Sequence, residues 1–264
     1  MIFFRQFIES RSLLTLLLIG VFAWSTYNIG WNNDIFHTGG ASALFDILEA
    51  LLKPELSPYF LRIALEATWT TLSYATAGTT IAVAIGFPLG ILASGVVAPS
   101  GKPKHIMMIV TRLLLGVMRS IHELIWAWFF VVAIGLSPMS AIIGLAIPYG
   151  GILGRIYADI LNDVKEEPSR VLLASGASRW QVLLYGRLAI ALPDMLSYTF
   201  YRFECAIRAV AILGFVGIKG LGFQIQLSLD DLLFDEVWTL LFFLIALVIL
   251  ADLWSSLIRR KWVI

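Results

Sequence analysis

Charge is scarce in this sequence: Asp, Glu, Lys and Arg make up 14% of its 264 residues, against 59% hydrophobic residues and a mean hydropathy of +0.86. That composition excludes a water-soluble fold. Cysteine is nearly absent. Cys205 stands alone in an apolar stretch, so an internal disulfide and a multi-cysteine metal site are both excluded, and it reads as a small core side chain. The three histidines, His37, His105 and His122, are scattered over different segments and define no metal site. Neither sign of charge dominates. With 19 basic and 18 acidic residues the net charge is +1, which argues against a nucleic-acid partner and leaves the placement of charges as the informative feature.

Several catalytic patterns are also missing. His122-Glu123 is followed by Leu124, Ile125 and Trp126, so the second histidine of a zinc-binding H-E-x-x-H helix is lacking. The glycines Gly214, Gly217, Gly220 and Gly222 have no following Lys-Ser/Thr and no preceding strand, which removes a nucleotide-binding P-loop. Ser94 and Ser175 precede glycines but lack a glycine two positions earlier, so neither is a nucleophile elbow. No nucleophile, base and orienting group fall at interpretable spacing. The chain reads as a non-enzyme without a cofactor or metal of its own.

What is abundant is apolar length. A bilayer core of about 30 Å needs roughly 20 apolar residues per helix, and six stretches qualify: 13–27, 64–97, 113–135, 141–158, 188–216 and 237–257. Alternating apolar and polar runs of about ten residues, the mark of a transmembrane barrel, are absent. The predicted fold is therefore all-α, with about six transmembrane helices. The second and fifth stretches exceed one span and must tilt or bend, with Pro88 a kink in the second. Between the first two, Leu44, Ile47, Leu48 and Leu51 oppose Asp46 and Glu49, the pattern of a short amphipathic helix.

Basic residues in short loops favour the cytoplasmic side. Thirteen of the 19 fall on one side of the six-span arrangement: Arg5, Arg11, Lys102, Lys104, Arg112, Arg155, Lys165, Arg170, Arg179, Arg187, Arg259, Arg260 and Lys261. Lys53, Arg62 and Lys219 fall on the other, where Asp34, Asp46, Glu49, Glu55 and the group from Asp230 to Glu236 add acidic charge. Both termini are predicted to be cytoplasmic. A rival reading takes the first apolar run after Arg5 and Arg11 as a secretion signal, although Trp24 and Tyr27 suit an interfacial anchor. The chain reads as one transmembrane domain over 1–264, with residues 1–62 as an N-terminal span plus outer segment and 63–264 as the core.

Charges inside apolar stretches are the next signal, because an arginine near a helix centre costs on the order of 3 kcal/mol on insertion scales. Arg119 with Glu123, and Glu204 with Arg208, are spaced four apart and are predicted to pair along one helix face. Arg202 differs. Its neighbour Glu204 points elsewhere on a helix, and Tyr198 offers a hydroxyl but no charge. An unpaired central cation points to an anion pathway, or to a carboxylate on another helix. The glycine set Gly214, Gly217, Gly220 and Gly222 supplies backbone freedom next to Lys219, suited to a gate or a turn. On the cytoplasmic side, residues 159–187 read as a helix, a bend at Gly176 and a second helix. Such an element suits a partner's groove or the membrane surface.

Several of these residues carry a family resemblance. G-A-S-R-W-Q-V from Gly176 with Leu192-Pro193, L-S-Y-T-F-Y-R-F-E from Leu196, and G-F-V-G-I-K-G-L-G from Gly214 resemble the permease subunit of phosphonate importers, within the type I ABC importers. R-S-I-H-E-L-I-W-A from Arg119 and G-G-I-L-G-R-I-Y-A-D from Gly150 are similar to that family as well. The resemblance covers residues 86–260. Departures are Arg170-Val171 where the family usually has Glu-Ala, and the lack of a proline near Ala189. The resemblance implies a homodimer in the bacterial plasma (inner) membrane, on two cytoplasmic ATPase subunits that bind ATP and Mg, fed by a periplasmic or lipid-anchored binding protein. It further implies that Gly176, Ala177, Ser178, Arg179 and Trp180 carry ATPase coupling. Arg202, Glu204, Arg208, Arg119, Glu123 and Tyr198 would line the path for a phosphonate, phosphite or related oxyanion. The alternative is a self-sufficient channel or proton-coupled carrier, with Glu204 or Glu123 as its proton site.

Overall fold

The computed structural model of the chain describes residues 2–29, 40–98 and 101–262. Asp34 and His37, together with the side chains of Arg5, Arg11 and Lys261, lie outside the described residues. No strand occurs among the described residues. The chain divides into two units, Met1–Glu49 and Ala50–Ile264. The first holds helix α1 (Ile2–Asn28) and nearly all of α2 (Gly40–Ala50), the expected amphipathic helix. The apolar part of α1, Ser12–Asn28, is shorter than a full span.

The second unit is built from α3 (Pro58–Ser94), α4 (Lys102–Ser120), α5 (Glu123–Ile134), α6 (Pro138–Asp163), α7 (Glu166–Ala174), a short turn α8 (Arg179–Gln181), α9 (Ala189–Leu213), α10 (Leu221–Asp230) and α11 (Phe234–Trp262). Helices α3, α6 and α11 are each long and apolar enough to cross a membrane. If each of two bent pairs, α4 with α5 and the run from α8 with α10, is counted as one span, the described residues hold up to five candidate spans. Helix α3 starts at Ser57, whose hydroxyl accepts from the Phe60 amide, with Pro58 in its first turn. It continues through Pro88 and ends at Gly95, φ 68°.

The centre of the unit is the α3–α6 seam. Gly78, Gly86 and Gly90 on α3 meet Leu145, Gly150, Leu153, Gly154 and Tyr157 on α6, so closely that a Cβ at Gly86 would lie 2.9 Å from the Gly150 carbonyl oxygen. Glycines four apart on each helix leave a groove into which the other backbone fits, the small-residue contact that drives helix association where lipid removes the hydrophobic incentive. Around it pack α4, α5, α9 and α11. Buried Leu153, Leu161, Leu183, Ile207, Leu221 and Leu240 belong to one continuous core.

The third expected span, 113–135, is not one helix. Ile121 adopts an extended backbone, and α4 and α5 meet at 83°. His122 caps α5, its Nδ1 accepting from the Leu124 amide at 3.2 Å, while the Trp126 indole donates to the Met118 carbonyl at 3.3 Å. One orphan amide and one orphan carbonyl created by the break are thus satisfied locally.

Candidate functional site

The segment around Gly176 forms a compact helical corner. Helix α7 ends with the Gly176 amide donating to the Leu173 carbonyl and the Ala177 amide donating to the Leu172 carbonyl, both at 3.0 Å. Gly176 sits at φ 86°. This is the Schellman arrangement, which needs a left-handed residue at that point and so selects glycine. Two residues later Ser178 and Gln181 form a reciprocal capping box that starts the next helix. One helix is therefore closed and another opened within four residues. Trp180, Val171 and Tyr185 remain exposed at 59%, 69% and 74%, an apolar and aromatic rim of the kind that anchors a partner.

Two arginines tie the corner to the bundle. Arg179 donates to the Ala98 carbonyl beyond the end of α3. Arg187 donates from Nε to the Ser169 hydroxyl at 3.2 Å and from Nη1 to the Leu161 carbonyl at 3.0 Å. Between the corner and α9 the chain winds as a π-helix, Val182–Leu188. Arg170 binds Glu166 one turn back at 2.7 Å, so the basic residue found in place of the usual glutamate is answered within its own helix. That hydrogen bond and charge hold the Glu166 carboxyl below its ordinary value of 4.5.

Inside the bundle, Arg202 is half-buried between two tyrosines, its guanidinium carbon 5.4 Å from the Tyr149 ring centre and 5.7 Å from that of Tyr198. Its Nη2 donates to the Tyr198 hydroxyl at 3.3 Å. Its Nε is buried and has no partner. Among the described residues no carboxylate pairs with it. The predicted Glu204–Arg208 pair forms, at 3.1 Å, with Glu204 the more buried member. The predicted pairing of Arg119 with Glu123 is corrected. The spacing of four puts two residues on one face only if the helix is continuous, and the break at Ile121 separates them. Glu123 instead lies 3.7 Å from the His122 ring and opens α5, where the helix dipole favours a carboxylate. Arg119 closes α4 on an exposed face.

The glycine set is a tight crossing. A Cβ on Gly222 would run into the Ala211 carbonyl, and one on Gly214 into the Phe223 amide. The Leu221 amide, an orphan donor at the start of α10, is received by the buried Thr71 hydroxyl of α3 at 2.9 Å. Gly217 adopts φ 86° and Gly220 φ 154°, with Gly220 also close to Thr71.

Residues 86–263 match the family described as the binding-protein-dependent transport system inner membrane component. The chain belongs to this family. Similar proteins include the phosphite transport system permease protein PtxC of Stutzerimonas stutzeri, 29% identical over 93% of this chain and 87% of that protein. The phosphate-import permease protein PhnE of Mycolicibacterium smegmatis is 27% identical over 87% of this chain and 43% of that protein. Among solved structures, the MetNI methionine ABC transporter in inward-facing conformations aligns over 78% of this chain and 99% of that one, with a TM-score of 0.69 and 22% identity. An amino acid ABC transporter aligns with a TM-score of 0.65 and 16% identity, over 77% of this chain and 95% of that one. The fold is that of type I ABC importer permeases.

In this inner membrane transport component every expected site residue, Arg119 through Gly222, falls inside the family match, whereas α1 and α2 precede it. The structure brings Arg202, Tyr198 and Tyr149 together and keeps Arg119 apart from Glu123. It groups Gly176 to Trp180 in one corner. The sequence reading missed Tyr149, Arg187 and Thr71. Only the polarity of Thr71 and Tyr149 within apolar helices marked them, and nothing along the chain named their partners.

Proposed function

We propose that this chain is the translocation subunit of an ATP-driven importer for phosphite, a phosphonate or a related phosphorus oxyanion. It works in the bacterial inner membrane as a homodimer on two ATPase subunits and receives cargo from a periplasmic or lipid-anchored binding protein. Arg202 carries the reading: a guanidinium in an apolar helix, braced by two tyrosine rings, with its Nε unpartnered and no carboxylate among the described residues to neutralise it. A cation held this way by neutral groups keeps its attraction for a passing oxyanion, and charge-assisted hydrogen bonds to such anions are the strong ones. The names of PtxC and of the PhnE relative point to the same cargo class.

The distribution of charge in the second unit supports a cytoplasmic position for the end of the bundle that carries the corner at Gly176. The end of the bundle where Arg179 meets Ala98 also gathers Lys104 and Arg187. At the other end the Thr239 hydroxyl donates to the Glu55 carbonyl, beside Asp235 and Glu236. The basic end then faces the cytoplasm, and the corner at Gly176 takes the push of the ATPases. ATP and Mg act on those subunits. Glu204, neutralised by Arg208, holds the geometry near the path.

Reconstitution tests this reading. Sealed vesicles containing the chain alone accumulate no phosphite under a proton gradient. Vesicles that also hold the ATPase and binding protein accumulate it when ATP is supplied. Uphill uptake by the chain alone would establish the proton-coupled carrier instead.

A further inference from the structure

A cavity of about 380 Å³ lies between the end of α3, the start of α4, the end of α6 and the helical corner, lined by Ser94, Lys104, Asn162, Ser169, Arg179 and Arg187 among others. That volume lies in the usual range of small-molecule sites. Its charge is unbalanced. Three cations face one bordering carboxylate, Glu166, a formal surplus of two, and that carboxylate is already engaged by Arg170 at 2.7 Å.

The two arginines are anchored from behind by neutral acceptors. Arg187 is held by the Ser169 hydroxyl and the Leu161 carbonyl, and Arg179 by the Ala98 carbonyl. Anchors of this kind fix a guanidinium without cancelling its charge, and Nη2 of each remains without a protein acceptor among the described residues. Lys104 lies across the cap of α3, where a Cβ on Gly95 would meet its Cε at 2.9 Å. Its ammonium has no carboxylate or acceptor among the described residues. Two oriented forks and a point charge around a polar cavity form the donor set that recognises a phosphate group. Asn162 adds a neutral donor.

We propose that this cavity binds a phosphate group through Lys104, Arg179 and Arg187, tying the end of α3 to the helical corner. Inorganic phosphate and the headgroup of an anionic phospholipid present the same chemistry here, and both are found at the inner face of a membrane. An anion in this place bridges the end of α3 and the helical corner, and so stabilises the setting of one against the other seen here.

The test uses the full-length chain in a phosphate-free maltoside detergent, with unfolding followed by tryptophan fluorescence. In one arm inorganic phosphate is titrated against chloride at equal ionic strength. In the other, phosphatidylglycerol is added without phosphate. The site predicts a saturable rise in melting temperature of about 5 °C at saturation in at least one arm, and the responding arm names the source. Lys104→Gln, which removes no internal hydrogen bond, weakens the response about tenfold. Lys104→Arg preserves it, and the distant Lys219→Gln leaves it unchanged. The absence of a shift in both arms, or a shift equally strong in Lys104→Gln and Arg179→Gln, overturns the assignment. The readout uses neither ATP nor uptake, so its failure is separate from failure of the transport reading.

Discussion

The Thr71 hydroxyl receives the Leu221 amide at 2.9 Å and itself donates to the Ala67 carbonyl, joining α3 to the first turn of α10 across 150 residues of sequence. Both residues are fully buried. Thr71→Val keeps the shape and removes the acceptor, leaving an orphan amide that costs about 1–3 kcal/mol. Thermal unfolding in detergent is expected to fall by several degrees, while Thr71→Ser is milder. Equal stability of the Val variant and the parent would show that water or another group takes the amide.

Gly222→Ala places a methyl group against the Ala211 carbonyl. Overpacking of this kind costs about 1–3 kcal/mol or more, and the crossing of α9 and α10 opens to relieve it. Reduced melting temperature with reduced uptake is the expected result. Wild-type behaviour of both would remove the close crossing from the account.

At Gly176 two substitutions separate conformation from space. A Cβ there meets nothing within 4 Å, so Gly176→Ala suffers only the left-handed backbone penalty of about 1–2 kcal/mol. Gly176→Pro also forbids the positive φ and deletes the donor to Leu173. The alanine variant is expected to retain coupled uptake at reduced rate. The proline variant inserts in the membrane, yet ATP hydrolysis by the assembled transporter no longer drives uptake. Normal uptake per ATP in the proline variant would count against the corner as the coupling element.

Arg202→Ala removes the unpaired guanidinium. Loss of a charged hydrogen bond worth about 1.5–3 kcal/mol corresponds to roughly ten- to hundredfold slower uptake at low cargo concentration, since about 1.4 kcal/mol is tenfold. Assembly, followed by size-exclusion chromatography, is expected to survive. If uptake is unchanged once the variant folds, Arg202 is a structural bracket for Tyr149 and Tyr198.

The Glu166 carboxyl is held down first by the hydrogen bond from Arg170 and then by its charge. A depressed folded value means that the pair supports α7 fully above the ordinary glutamate range and is lost as pH falls through the folded value. A carboxyl NMR titration is expected to show a midpoint below 4.5 that moves upward in Arg170→Gln. An unmoved midpoint would falsify the pairing.

The apolar stretches, the bend at Gly176 and the Glu204–Arg208 pair were legible because each depends on neighbours within a turn or two of chain. The break at Ile121 was not legible, since no proline or glycine marks it and the hydrogen bonds made there by His122 and Trp126 do not show in the sequence. The same limit hid Tyr149 beneath Arg202 and the Ala98 carbonyl behind Arg179, which come from helices distant in sequence. Polarity identified Arg202 as unusual and spacing pointed to Tyr198, but only packing revealed that Tyr149, not a carboxylate, completes its surroundings.

The seam between α3 and α6 has a mechanical consequence. Where Gly86 faces Gly150 and Gly154, backbone comes against backbone, a Cβ at Gly86 lying 2.9 Å from the Gly150 carbonyl oxygen and 3.0 Å from the Gly154 amide nitrogen. Sliding of α3 over α6 at this level would drive backbone into backbone, so the two helices are expected to shift as one unit.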